Sequence, residues 1–124
     1  MHLTPLSAIA ALAAHATAAT IAVNVGQNGA LAFSPSSAAA SAGDIVEYHF
    51  FPPGHSAVMG DFNNPCAPAA TGGFSSGENA SPPTPPTPSN VFRVTINSTN
   101  PIFFYCGVPG HCGAGMSGAI NPSS

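Results

Sequence analysis

Apolar positions recur with a period of two along several stretches of the chain, and this pattern predicts strands rather than helices. Thr20-Ile-Ala-Val-Asn-Val25 alternates apolar with small polar residues and reads as a first strand. From Asp44 to Phe51, Val46, Tyr48 and Phe50 share one face, and Ile45, Glu47, His49 and Phe51 share the other. Glu47 and His49 are therefore expected to be mostly solvated. Val91 to Asn97 alternates again, with Phe92, Val94 and Ile96 inward. Pro101-Ile-Phe-Phe-Tyr105 is an aromatic, β-branched run that reads as a buried strand ending at Cys106. Leu31-Ala-Phe33, Ala57-Val-Met59 and Met116-Ser-Gly-Ala-Ile120 add shorter strands.

The breaks between these runs carry turn chemistry. Gly26-Gln-Asn-Gly29 is a turn, with Asn28-Gly29 a hairpin signal. Ala38 to Ala42 has a helical composition, but only five residues separate Ser34-Pro35-Ser-Ser37 from Gly43-Asp44, so it reads as extended chain and a turn. Pro52-Pro53-Gly54 ends a strand and presents His55, and Gly60 to Pro68 carries Cys66 in a loop. Ser81-Pro-Pro-Thr-Pro-Pro-Thr-Pro-Ser89 favours polyproline II and cannot sit in a central strand. Its Ser and Thr suit O-linked sugars as well as a plain solvated connection. The expectation is an all-β sandwich of about seven strands, with a long Pro/Ser/Thr-rich connection, in a single domain over residues 19–124.

Residues 1–18 read as a secretory signal peptide. Leu6 to Ala14 is apolar and uncharged, and Ala16-Thr-Ala18 has the small-x-small form of a cleavage site. After Ile120 no hydrophobic stretch follows in these residues, so they encode no membrane span.

Charge narrows the partners. The 124 residues hold one Arg (Arg93), no Lys and four acids, a net charge of −3, where a typical domain is about a quarter charged. Nothing can neutralise a row of phosphates, which excludes nucleic acid. The small negative balance gives only a weak steering field.

The chemistry concentrates in Cys106-Gly-Val-Pro-Gly-His111-Cys112-Gly-Ala-Gly-Met116, where a thiolate, an imidazole and a thioether recur every five residues. Two His and one Cys in a trigonal set, with a long axial Met, make a type 1 (blue) copper centre. His55 is the candidate second imidazole. Met59 is an alternative thioether, but Met116 has the spacing, so Met59 is assigned to packing. The intervening glycines are expected to let backbone pass close to the metal. Three cysteines in a secreted chain leave one outside any disulfide. Cys66–Cys112, Cys66–Cys106 and Cys106–Cys112 all remain open on count alone.

The stretch resembles the copper loop of the phytocyanins, a branch of the cupredoxins, with the pattern C-x4-H-C-x3-M. Phe33-Ser-Pro-Ser-Ser37, Gly43-Asp-Ile-Val46 and His55-Ser-Ala-Val58 also resemble the cupredoxin-like domains of secreted fungal serine-rich proteins. The likeness runs from about Thr20 to Pro122. It implies a Greek-key β-sandwich, His55, Cys106, His111 and Met116 as ligands of one copper ion, and a Cys66–Cys112 disulfide. It also implies electron transfer through the edge of His111, with Val108 and Pro109 as an apolar collar. Two features depart from the family pattern. Ser56 stands where the family often has Asn, and the region from Ala67 to Asn90 is richer in Pro, Ser and Thr than in the plant proteins.

Three functions fit these residues. The first is a secreted, monomeric blue copper protein that passes single electrons to a small redox protein. The second is a cell-surface or wall-associated protein with the same site, serving copper storage, delivery (to a donor or acceptor protein) or structure. The third is a zinc site built from His55, Cys106, His111 and Cys112. A hydrolase is hard to build: no Gly-x-Ser-x-Gly occurs, the four acids show no pairing, and Cys106 and His111 share one tight loop. Asn97-Ser-Thr99 and Asn79-Ala-Ser81 are sequons for N-glycosylation at Asn97 and Asn79.

Overall fold

A computed structural model of the chain describes residues 17–77, 79–80 and 90–123. The apolar leader, the Pro-rich tract and the side chains of the Asn79 sequon lie outside the described residues.

Alternation sets the first sheet. β1 (Thr20–Val25), β4 (Ile45–Phe50) and β8 (Asn90–Thr95) are its three long strands, and β2 (Phe33–Ser34) forms its edge, in the order β2-β1-β4-β8. β1 and β4 run parallel, Ile21 opposite Val46, whereas β4 and β8 run antiparallel. The second sheet has the order β3-β10-β9-β6, from β3 (Ser37–Ala38), β10 (Ser117–Ile120), β9 (Ile102–Tyr105) and β6 (Val58–Met59). β5 (Gly54–His55) and β7 (Asn79–Ala80) make a separate two-stranded ribbon. The described residues thus hold ten strands against about seven expected, because five of the ten are only two residues long. Stubs of that length have no periodicity to read.

The inward faces meet as the pattern requires. Val23, Val25, Val46, Tyr48 and Phe50 from one sheet are buried with Phe104 and Ile120 from the other. Phe104 packs edge-on against Phe33 at 4.8 Å and Tyr48 at 5.2 Å between ring centroids. Fully burying such a ring contributes about 1.5–3 kcal/mol, and burial also pushes the Tyr48 phenol well above its ordinary range.

Three local expectations are corrected. The turn after β1 is wider than a two-residue hairpin: Gly26, Asn28 and Gly29 all hold positive φ, a 3₁₀ turn spans Gln27–Gly29, and Gly26 N–H donates to the Ala32 carbonyl at 3.0 Å. The extra length moves the strand from residues 31–33 to Phe33–Ser34 and leaves Leu31 exposed. Glu47 and His49 are not mostly solvated; their side chains are 19% and 24% exposed. Arg93 lies directly opposite Glu47 across the β4–β8 ladder and closes over it. Arg93 Nε donates to Glu47 Oε2 at 2.7 Å, and His49 Nε2 lies 3.0 Å from Oε1. Arg93 first, and His49 second, hold the Glu47 carboxyl below its usual range.

The Ala-rich segment after β3 is extended, as read, and its partner is a side chain. The Asn121 amide bonds both backbone groups of Ala40, accepting at 2.8 Å and donating at 2.9 Å, so it completes the ladder where β3 ends.

Candidate metal centre

Strand β9 is apolar up to Tyr105 and delivers Cys106 to the end of the sandwich. The ladder extends one bond further, from Cys106 N–H to the Met116 carbonyl at 3.1 Å. Between them the chain folds on itself. His111 N–H bonds the Val108 carbonyl at 3.0 Å, and the His111 carbonyl accepts from Ala114 at 3.1 Å and from Met116 at 3.0 Å. The backbone of Met116 is therefore tied to both Cys106 and His111. The loop glycines serve conformation: Gly110 and Gly115 hold φ of +85° and +105°, and neither has a protein atom within 4 Å of where a Cβ would stand. Val108 packs against the core, and Pro109 is exposed beside it.

His55 arrives from the β5–β7 ribbon, paired opposite Asn79. Its Nδ1 lies 3.9 Å from Cys106 Sγ, and His111 Nδ1 lies 3.4 Å from the same sulfur. The donor atoms of His55, Cys106 and His111 all fall within 4.8 Å of one another. His55, Cys106 and Met116 are buried at 1%, 1% and 0% exposure, and His111 is partly exposed. Burial, and then the neighbouring His111, push the His55 imidazole below its ordinary value. That favours the neutral ring, whose lone pair a metal needs. Donors about 2.0–2.3 Å from a shared ion stand about 3.5–4 Å apart in a trigonal set; the His55 separation of 3.9 Å lies in that span and the His111 separation of 3.4 Å just below it.

Two residues outside the ligand set hold it. Ser56 N–H donates to Cys106 Sγ at 3.5 Å, and Ser56 Oγ accepts from Gly107 N–H at 2.7 Å. Ser56 thus fastens the His55 segment to the Cys106 segment at two points. In the sequence Ser56 stands out only as a departure from Asn, and its adjacency to His55 is the one signal of this role. Gly26 is the other. His55 Nε2 is buried without a hydrogen-bond partner and packs against Gly26, where a Cβ would stand 2.2 Å from it. Only a glycine following a strand marked that position in sequence.

Cys66 and Cys112 are joined in a disulfide with Cα atoms 5.8 Å apart, and Cys106 is the free, buried thiol. The bridge fastens the residue next to His111 to the loop after β6. Cys112 is then no longer a fourth donor for a tetrahedral zinc site. Met59 stands elsewhere, against Gly73 and beside Phe62 and Phe74. His49 stays on the outer face with Glu47.

No family profile matches the chain. Among curated proteins it is 38% identical, over 92% of its own length and 57% of the relative's, to a "Probable GPI-anchored cupredoxin-1" of Arthroderma benhamiae. It is 40% identical, over 96% of its length and 45% of the relative's, to an "Extracellular serine-rich protein" of the same fungus. The chain spans about half the length of the curated relatives it matches. Among solved structures, reduced auracyanin from Roseiflexus castenholzii aligns with a TM-score of 0.60 at 18% identity, over 82% of this chain and 94% of that one. Spinach plantacyanin aligns with a TM-score of 0.52 at 23% identity, over 82% and 99%. These likenesses fix the fold.

Proposed function

The chain belongs to the cupredoxin superfamily, and on that premise we propose that it is a secreted or cell-surface type 1 copper protein that passes single electrons. One observation carries the reading: a buried thiol, the one cysteine outside the disulfide, faces two imidazole nitrogens at 3.4 and 3.9 Å. His55, Cys106 and His111 would hold the ion, with Met116 as the weak fourth donor. Copper bound there supplies a one-electron couple whose two oxidation states both accept this donor set.

The protein's own residues do the rest. The loop's internal hydrogen bonds and the Cys66–Cys112 bridge hold the ligands in one arrangement, so little need move when the charge changes. Burial of His55, Cys106 and Met116 keeps water from three of the four donors. His111, partly exposed, is the route by which an electron enters or leaves. A partner would meet it through a small, transient contact. No helix among the described residues is long and apolar enough to cross a membrane. Secretion is supported by the small-x-small site at Ala16-Thr-Ala18 and by the names of the two fungal relatives.

A second reading keeps the site and replaces the electron partner with copper storage or delivery. The near absence of charge favours it, since one Arg and four acids offer little for electrostatic docking. Adding one equivalent of Cu(II) to the folded protein tests the site itself. An intense visible thiolate-to-copper band, absent in Cys106→Ser, is expected. A colourless protein that takes up no copper would overturn both readings. Fast reversible reduction of the coloured form supports electron transfer, whereas ready loss of copper to an acceptor favours delivery.

A further inference from the structure

A groove of about 480 Å³ lies away from the metal ligands, between the loop after β6 and the turn after β8. Its walls include Met59, Phe62, Phe74 and Pro101, and its polar rim includes Asn97 and Ser98. Phe62 is the feature that the fold leaves unexplained, for it is 63% exposed. It is nevertheless held in place. Its ring stands edge-on to Phe103 at 4.9 Å between centroids. Its loop is pinned by Gly60 N–H to the Phe103 carbonyl at 2.7 Å and Asn63 N–H to Asp61 Oδ1 at 2.7 Å. An aromatic ring fixed in solvent beside a groove is a ready platform for a ligand with an apolar face and a polar edge.

Asn97 opens the sequon Asn97-Ser-Thr99 and lines this groove itself. We propose that the groove seats the innermost N-acetylglucosamine of an N-linked glycan on Asn97, with the C–H face of the sugar ring on Phe62. The proposal rests on the secretory reading above. In the modification the Asn97 amide nitrogen forms a bond to C1 of the sugar. The C1–O bond to a lipid-linked pyrophosphate oligosaccharide donor breaks, the lipid pyrophosphate leaves, and the amide loses one proton. The attachment point tethers the sugar at the groove, so its effective concentration there is high. The tethered ring covers apolar surface that is otherwise in water, and its acetamido and hydroxyl groups remain at the polar rim.

The test uses the full chain secreted from an N-glycosylating yeast, with its glycan trimmed enzymatically to one N-acetylglucosamine. Peptide mapping by mass shows whether Asn97 is occupied, and Thr99→Ala supplies the chain unmodified at that site, with the Asn79 sequon unchanged in both. The trimmed form is expected to melt about 4 °C above the Thr99→Ala chain, the shift of one good contact in a domain of this size. Phe62→Ala is expected to erase that difference while keeping the glycan, and nuclear Overhauser contacts should join the sugar's ring C–H protons to the Phe62 ring. A glycan present with no such contact, and with equal melting of trimmed and Thr99→Ala forms, overturns the groove proposal alone. A chain that is exported with Asn97 unmodified also overturns the groove proposal alone, whereas a chain that is not exported overturns it together with its premise.

Discussion

His55 Nε2 rests on Gly26 so closely that a methyl group at residue 26 would stand 2.2 Å from it. Gly26 also holds φ at +76°, where side chains are strained. Gly26→Ala therefore has to push His55 toward Cys106 or open the turn after β1. Overpacking of this kind costs about 1–3 kcal/mol, and the left-handed backbone adds about 1–2 kcal/mol. The variant is expected to unfold at lower denaturant and to lose or weaken the thiolate-to-copper band. An unchanged spectrum and midpoint would show that His55 has room the packing does not suggest.

Ser56→Ala removes the hydroxyl that accepts from Gly107 N–H but keeps the N–H that reaches Cys106 Sγ. The lost bond is part-buried, and its removal costs about 1 kcal/mol. The copper band should survive with a changed maximum or intensity, because Cys106 keeps its hydrogen bond while its segment loosens. Equilibrium unfolding of the metal-free protein reads the stability part. A loss several times larger would mean the hydroxyl does more than fasten two segments.

Replacing Cys66 and Cys112 together with Ser frees a link between residues 46 apart in sequence. On the chain-entropy view that costs about 4 kcal/mol. The double variant should still bind copper, since none of the four proposed ligands is altered, but with lower stability in urea. Full loss of copper binding in a folded double variant would show that the bridge shapes the His111 loop as well as securing it.

Asp44 gives the stability a dependence on acid. Its carboxylate accepts from Ser41 N–H at 2.8 Å and Ala19 N–H at 2.9 Å. Those bonds, Ser41 first, hold its pKa below the ordinary 3.8. A carboxyl depressed in the folded state contributes stability that is full above its unfolded value and disappears as pH falls through the folded value. The wild-type chain should therefore exceed Asp44→Asn in stability at neutral pH, and the gap should close below about pH 4. Denaturation curves across pH 2–7 check this; a gap independent of pH would assign the effect to packing.

Much of this arrangement is legible in the sequence, for identifiable reasons. The alternation in Thr20–Val25, Ile45–Phe50 and Asn90–Thr95 is long enough to fix both strand and face. The C-x4-H-C-x3-M loop names its donors because all of them lie within eleven residues and one turn can gather them. What the sequence hides is what a distant strand decides. Arg93 covers Glu47 from 46 positions away, and nothing in residues 44–51 announces it. Gly26 meets His55 across the end of the sandwich, through a backbone carrying no side chain to read. The stubs at Gly54–His55 and Asn79–Ala80 exist only as each other's partners.

The bridge between Cys66 and Cys112 has a consequence for metal choice. It removes from the coordination pool a sulfur that adjoins His111 in the chain. With that sulfur held in the bridge, the loop offers no two-nitrogen, two-sulfur set of the kind that suits a tetrahedral closed-shell ion. The oxidation that closes the bridge thereby leaves one sulfur of the cysteine pair 106 and 112, not two, to a metal at this end of the sandwich.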